Sequence, residues 1–164
     1  ILIGLVGSEM CIRDSDYIMP SPELTGVQLA SIAEHSALAD RMLIGIHGRT
    51  PLMQLLHCPI KEHKGCQNCM GIAGAVTDEA GRVFPLVNIR YPDNCLVRML
   101  NCRTTDLIDL FDRIPQTAGY VLNFVGEQID EVTERIAAAN EAKNGKRQTQ
   151  YPNSTRGHWM RKVE

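Results

Sequence analysis

The sequence predicts an α/β fold in which parallel strands are joined by helical crossovers. Short apolar runs at residues 42–47 and 120–124 alternate with amphipathic helical patterns on both sides of a cysteine-rich region, residues 57–102. Alternation of this kind is typical of a βα barrel or a doubly wound sheet. Within the cysteine-rich region, two strand-like segments flank the turn-forming residues 79–82, which predicts a β-hairpin.

The helices and the strand before the cysteine-rich region are predicted from short sequence patterns. Thr25 and Gln28 form a capping-box pattern, which predicts a helix that continues to about residue 36. Residues 42–47 form a compact apolar run, which predicts a short buried strand. A threonine followed by a proline predicts a second helix over residues 51–56, with the proline at its first position.

Six further elements are predicted from residue 74 onwards. They are strands at 74–78, 83–89, 95–102 and 120–124, and helices at 105–114 and 126–143. The last helix carries an apolar stripe that we expect to face the core: Ile129, Val132, Ile136 and Ala139.

The composition is that of a globular domain. The chain has 164 residues, of which 44% are hydrophobic and 22% charged, with a formal charge of −2. This length is sufficient for one domain with its own core. No stretch approaches the roughly 18–20 apolar residues of a membrane-spanning helix, so we expect a cytoplasmic protein with no membrane partner.

The two ends of the chain differ from the middle. Residues 1–15 begin without a methionine and resemble translated sequencing-adapter sequence, so we expect them to be non-native and the chain to be a fragment. Residues 144–164 form a basic tail. Such a tail can attract phosphates, and it is also typical of a solvated C-terminus.

Four cysteines carry the strongest chemical signal: Cys58, Cys66, Cys69 and Cys95. Thiolates are soft ligands, and four of them suit zinc or an iron–sulfur cluster. Zinc ribbons commonly use two CxxC pairs, whereas this chain has one such pair and two separate cysteines, which favours the cluster. Reduced core thiols and two disulfides are the alternatives.

Several motifs occur in the same order as in one known family. They are SPELT at 21–25, HGRTPLM at 47–53, HCPIK at 57–61, GCQNC at 65–69, a D-x-x-G-x-x-FPL pattern at 78–86, and GHWMRKVE at 157–164. From about residue 16 to its end, the chain resembles the C-terminal part of the collagenase-like peptidases, the unknown-mechanism peptidase family 32 (U-32). One departure is Lys162, which stands where the family pattern usually has glycine.

The resemblance implies the C-terminal portion of a βα (TIM-like) barrel. Residues 16–56 and 103–143 would supply barrel units, and residues 57–102 would form a cluster-binding insert. Cys58, Cys66, Cys69 and Cys95 match the family's ligands for a four-iron four-sulfur cluster. Cys102 has no motif position and is interpreted as a core thiol. The missing N-terminal half would complete the barrel, so we expect this fragment to be inactive on its own.

The resemblance also implies a function in RNA modification. Better-understood relatives hydroxylate bases of tRNA or ribosomal RNA, with prephenate or a similar small carboxylate as donor. The family's older peptidase label makes a hydrolase the alternative, although the sequence contains no GxSxG, HExxH or Asp–Thr–Gly pattern. A third hypothesis is a structural metal-binding module without catalysis.

Four other residues are candidates for the site. Arg49 follows a predicted strand and could bind a carboxylate or phosphate. The alternative is a surface arginine that caps a helix or pairs with Asp106 or Asp109. His57 lies beside Cys58 and could carry protons or support the metal ligands, or it could be a structural histidine. Asn101 and His158 are further candidates for substrate binding.

Overall fold

The computed structural model describes residues 15–35, 37–66, 69, 71–91 and 95–161. These residues form a mixed α/β fold with two sheets and no closed barrel. The strands are β1 Leu43–Gly48, β2 Pro51–Leu55, β3 Gly71–Thr77, β4 Val83–Arg90, β5 Cys95–Leu100, β6 Thr105–Asp106 and β7 Gly119–Leu122. The helices are α1 Gly26–His35, α2 Pro59–Lys64 and α3 Ile129–Lys143, with 3₁₀ turns at Ala39–Arg41 and Ile108–Arg113. The adapter-like residues up to 14, the pair at 67–68 and Lys162 lie outside the described residues.

The first sheet has three strands in the order β6-β1-β7. Strand β1 is parallel to β7, with Ile44 opposite Tyr120, and antiparallel to β6, with His47 opposite Asp106. The parallel pair agrees with the strand and helix alternation of the sequence. Ile44 and Ile46 of β1 are buried and pack with residues of α1, α3 and the second 3₁₀ turn in one apolar core.

The second sheet has four antiparallel strands in the order β2-β5-β4-β3 and contains most of the cysteine-rich region. Strands β3 and β4 form the predicted hairpin. Asp78 closes its turn, because its Oδ1 accepts hydrogen bonds from the backbone N–H groups of Ala80 and Arg82. Leu86 of β4 and Val97 of β5 are fully buried, so one face of this sheet is covered.

Helix α1 begins where the sequence predicts. Thr25 and Gln28 exchange hydrogen bonds, the Thr25 N–H donating to Gln28 Oε1 at 2.9 Å and the Gln28 N–H to Thr25 Oγ1 at 3.3 Å. Its first residue, Gly26, packs directly against the indole of Trp159, and a Cβ at this position would lie 2.6 Å from the ring. The C-terminal segment is therefore anchored to the start of α1.

The predicted helix over residues 51–56 is wrong, because these residues form the edge strand β2. Pairing with β5 outweighs the local helix signal, with Leu55 opposite Val97 and Gln54 opposite Arg98. A proline is tolerated at the first residue of an edge strand, where its missing N–H breaks no ladder bond. The helix that does begin with a proline is α2, one turn later, with Cys58 as its N-cap residue.

The predicted helix over residues 105–114 is also wrong in type and in its cap. Thr105 and Asp106 are paired with β1, and only a 3₁₀ turn follows. The N-cap residue of that turn is Leu107, which provides no side-chain cap, and the N–H of Ile108 donates to Asp106 Oδ1.

The apolar stripe of α3 does not face the core as a whole. Ile129 is 82% exposed and Ile136 is 46% exposed, whereas Ala138, Ala139 and Ala142 are buried. Small side chains on that face let α3 approach the 3₁₀ turn at Ile108–Arg113, which it contacts. In the described part of the chain, no helix has both the length and the apolar character needed to cross a bilayer.

We expect Ile46→Ala to lower the free energy of unfolding by about 2–5 kcal/mol, because it opens a cavity in the core. The matched control is Ile129→Ala, which we expect to change it by no more than about 0.5 kcal/mol, since this side chain is exposed. Chemical denaturation measures both values. A comparable loss in the control would show that Ile129 is buried, as the sequence pattern predicted.

Candidate functional site

Cys58 and Cys66 bracket the short helix α2. Cys58 is half-buried and precedes Pro59, whereas Cys66 is exposed and follows Gly65, whose positive φ of 73° ends the helix. Helix α2 lies against β3, because a Cβ at Gly74 would be 3.4 Å from the side chain of Ile60. Both thiols are thereby held near the second sheet.

Cys69 and Cys95 lie at one end of that sheet, on either side of β4. Cys69 precedes Gly71, which is paired with Asn88, and Cys95 is paired with Arg90. Because side chains two residues apart share one face of a strand, Asn88 and Arg90 point to the same side. Directly opposed residues also share a face, so the Cys95 side chain lies on that side too.

The amide of Asn88 contacts Cys69 on the same face. Its Nδ2 is 3.0 Å from the Cys69 carbonyl oxygen and 3.3 Å from Cys69 Sγ. Asn88 is only 5% exposed, and its Oδ1 has no hydrogen-bond partner. The sulfur of Cys69 is therefore held by a buried side chain of the central strand.

The four thiols suit a thiolate-bound centre in their chemistry. The buried amide beside Cys69 has an unpaired oxygen, Asn88 Oδ1. Among the described residues, however, no three His, Cys, Asp or Glu side chains are grouped closely enough to hold a metal ion. In this arrangement the residues present therefore do not fit a metal centre.

Cys102 stands apart from this set. It follows the opposite end of β5, and its thiol lies 3.5 Å from Asn101 Oδ1, to which it can donate a hydrogen bond. The prediction that Cys102 is a core thiol is wrong, because this residue is only half-buried and lies outside the apolar core.

His57 is close to Cys58 in sequence but is turned to solvent. Its Nε2 lies 3.1 Å from Glu62 Oε2, and both side chains are more than 60% exposed. An exposed pair of this kind contributes little to stability. The structure gives His57 a surface partner and no buried acceptor.

A buried hydrogen bond between a histidine and an aspartate joins strands β1 and β6 of the first sheet. His47 Nδ1 donates to Asp106 Oδ2 at 2.7 Å, and both side chains are at most 1% exposed. The imidazole also packs against the rings of Phe124 and Tyr151, with centroid distances of 5.2 and 5.7 Å. Burial raises the pKa of the Tyr151 hydroxyl, and the nearby Glu131 carboxylate raises it further.

A cavity of about 290 Å³ opens beside this pair, at the carboxyl ends of the parallel strands β1 and β7. Ligands of open α/β sheets usually bind at such strand ends. Two candidates from the sequence, Arg49 and His158, both line the cavity, together with Arg156 and Trp159. The fold thus brings together side chains that are more than 100 residues apart in sequence.

The two arginines at the cavity already have protein partners. Arg49 Nη1 donates to the carbonyl oxygens of Asn101 and Cys102, at 2.9 and 2.7 Å, and so ties the end of β1 to the end of β5. Arg156 forms a two-pronged ion pair with Asp109. The sequence alternative that paired Arg49 with Asp106 or Asp109 is wrong, because His47 and Arg156 occupy these carboxylates.

Asn101 contributes to the site through its backbone. Its carbonyl accepts from Arg49, and its side-chain oxygen lies 3.4 Å from the N–H of Arg103. A second, more polar cavity lies on the other side of Arg49 and is also lined by Arg82, Arg103 and Glu127. Arg49 is the side chain that the two cavities share.

Sequence reasoning missed His47, Asp106 and Asn88 as site residues. A polar residue inside the otherwise apolar strand VFPLVNIR was a usable signal for Asn88, because a buried amide needs a partner. Asp106 carried no comparable signal, since its burial depends on β1, which lies about 60 residues earlier.

The fold and the site define an α/β protein with a thiol-bearing antiparallel sheet next to a strand-end cavity. Comparison of the chain with protein-family models, curated proteins and solved structures finds no match. The resemblance to the U-32 peptidases therefore depends on the sequence motifs alone.

We expect Asp106→Ala to lower the free energy of unfolding by about 3–5 kcal/mol, because the buried imidazole of His47 loses its partner and Ile108 loses its cap. Asp112→Ala is the control, since Asp112 is exposed, and we expect a change within about 0.5 kcal/mol. Urea denaturation monitored by circular dichroism measures both. Equal effects would contradict a stabilising role for the buried pair.

Proposed function

We propose that this chain is part of an iron–sulfur protein of the U-32 kind that takes part in hydroxylation of tRNA or ribosomal RNA bases. Two observations support the proposal: Cys95 is paired with Arg90 at one end of the second sheet, and Asn88, two residues from Arg90, donates a hydrogen bond to Cys69. Cys58 and Cys66 flank α2 beside the same sheet. These four residues would hold a four-iron four-sulfur cluster.

The cluster is favoured over zinc by the arrangement of the ligands along the chain. A structural zinc site commonly draws two closely spaced pairs from two loops. Here one CxxC pair is combined with Cys58 and Cys95, which come from separate pieces of backbone. When bound, an iron–sulfur cluster supplies one-electron transfer at a potential that the surrounding protein sets.

The cavity at the ends of β1 and β7 would bind the small carboxylate donor. Arginine has five N–H donors, and in Arg49 only those of Nη1 are engaged with carbonyl oxygens. Its Nε and Nη2 groups could bind a carboxylate, and most of the surrounding cavity lining is apolar. Because Arg49 also contacts the end of β5, a ligand at this position is linked to the sheet that carries the thiols.

In this proposal the three-stranded sheet is part of a βα barrel. The parallel pairing of β1 with β7 supports it, because parallel neighbours need crossover connections. Strands from a preceding part of the protein would complete the barrel.

A peptide hydrolase is the second candidate, and the His47–Asp106 pair is the observation in its favour. A histidine oriented by an aspartate through Nδ1 is the base part of a hydrolytic triad. A triad also requires a nucleophile at the other ring nitrogen. Among the described residues, no serine, threonine or cysteine side chain is hydrogen-bonded to His47, so the hydroxylase is the better supported function.

The metal content tests the proposal directly. We expect protein purified without oxygen to be brown and to contain about four irons per chain. Cys66→Ser and Cys69→Ser should each abolish cluster retention, whereas Cys102→Ser should preserve it, because Cys102 lies at the other end of β5. Iron analysis and visible absorption measure this. A colourless preparation with one zinc per chain, or equal losses in all three variants, would contradict the ligand set.

The RNA of the host cell tests the reaction. We expect the tRNA or ribosomal RNA of cells that lack the full-length protein to be missing one hydroxylated base. The base should return with the wild-type gene but not with the Cys69→Ser variant. Mass spectrometry of digested RNA measures the base. Unchanged RNA together with altered peptide turnover would support the hydrolase instead.

A further inference from the structure

We infer that the polar cavity between Arg103 and Glu127 is a binding site for a small zwitterion of the α-amino-acid class. None of the four cysteines of the proposed cluster lines this cavity, so such a site goes beyond the proposed function. Side chains of opposite charge line the cavity without pairing to each other, and this arrangement points to a ligand that carries both charges.

The basic side of the cavity is formed by three arginines. Arg49 Nη1 donates to the carbonyl oxygen of Cys102, so its guanidinium lies beside the backbone of Arg103. Arg82 also lines the cavity, but Asp78 balances its charge, with Oδ2 2.6 Å from Arg82 Nε. In the described part of the chain, neither Arg49 nor Arg103 forms an ion pair with a carboxylate. Two guanidinium charges are therefore available to a ligand.

The acidic side is formed by two carboxylates at the start of α3. Glu127 and Glu131 both line the cavity, and each accepts a hydrogen bond from a backbone N–H, of Val125 and of Gln128 respectively. Burial raises the pKa of the Tyr151 hydroxyl, and the carboxylates of Glu131 and Glu127 raise it further, so both act on the same part of the lining. Among the residues that the structure describes, no cation forms an ion pair with either carboxylate.

Close packing positions the acidic segment against the second sheet. Gly126 has a positive φ of 86°, which favours glycine, and a Cβ at this position would collide with the side chain of Ile72 on β3. The residue that follows, Glu127, is thereby held next to the sheet whose hairpin turn carries Arg82. The opposite charges nevertheless remain unpaired across a cavity of about 540 Å³.

The balance of charge selects the class of ligand. Two available guanidinium groups face two carboxylates, which favours a molecule with no net charge and two separated charges over a phosphate. Guanidinium N–H groups bind a carboxylate, and an ammonium group donates to carboxylate oxygens. An α-amino acid carries both groups, and an aliphatic side chain can pack on Val83 and Pro85, which also line the cavity. The volume lies within the range of about 300–1,000 Å³ that is usual for small-molecule sites.

The test titrates L-norleucine, hexanoate and pentylamine separately into the full chain by calorimetry. Norleucine carries both charges on one aliphatic chain, whereas hexanoate lacks the ammonium group and pentylamine lacks the carboxylate. We expect Arg103→Gln to weaken norleucine binding at least about 10-fold and to leave pentylamine binding unchanged, because only a carboxylate loses a charged donor. Glu127→Gln should weaken norleucine binding by a similar factor and leave hexanoate binding unchanged. Glutamine keeps an oxygen for the N–H of Val125.

The matched controls are Arg113→Gln and Glu34→Gln, which remove exposed charges outside the cavity and should bind norleucine as the wild type does. If Glu127→Gln does not fold, as judged by circular dichroism, Glu131→Gln is measured in its place.

The outcomes separate this site from the proposed function, because none of them depends on bound metal. Wild-type protein that does not bind norleucine, or variants at both positions that bind it equally well, would overturn the inference. A loss in only one variant would indicate a singly charged ligand and would overturn it too. Hexanoate binding that Arg103→Gln leaves intact belongs to the strand-end cavity, where the proposed carboxylate site stands or fails separately.

Discussion

The buried hydrogen bond between His47 and Asp106 is the contact on which the first sheet depends. Two ionisable side chains are stable at this depth only when they are paired and hydrogen-bonded. The Asp106 carboxylate meets this condition, because it accepts hydrogen bonds from His47 and from the N–H of Ile108. The backbone of Asp106 is also hydrogen-bonded to Thr155 and Arg156. One residue therefore ties β1, β6, the following 3₁₀ turn and the C-terminal segment into a unit, and the strand-end cavity lies beside it.

The thiols depend on a different constraint, which is the register of the second sheet. A slip of one residue between β4 and β5 would move Cys95 to the opposite face, away from Cys69 and Asn88. The register is held by Leu86 and Val97, which are buried on the same face. Packing in the middle of the sheet thus determines which sulfurs can meet at its end.

The sequence alone predicted the structural features that depend on residues close together in the chain. The capping box of Thr25 with Gln28 and the hairpin turn at Asp78 were both predicted, because each involves side chains within four residues of each other. The strand at residues 51–55 was missed, because its partner β5 is more than 40 residues away and long-range pairing outweighs local propensity. The placement of the four cysteines belongs to the second kind, since it needs the register, whereas the prediction that they are metal ligands rests on their spacing and chemical type alone.

The outer strands of the second sheet have a consequence for handling the protein. Strands β2 and β3 lie at the two ends of the strand order, and no other described strand pairs with their outer sides. Their sequences, PLMQL and GIAGAVT, contain no lysine, glutamate or other charged residue of the kind that blocks pairing between molecules. Concentrated samples are therefore prone to grow by addition of strands from one molecule to the next, and a single lysine placed on either outer strand is the simplest way to keep the molecules apart.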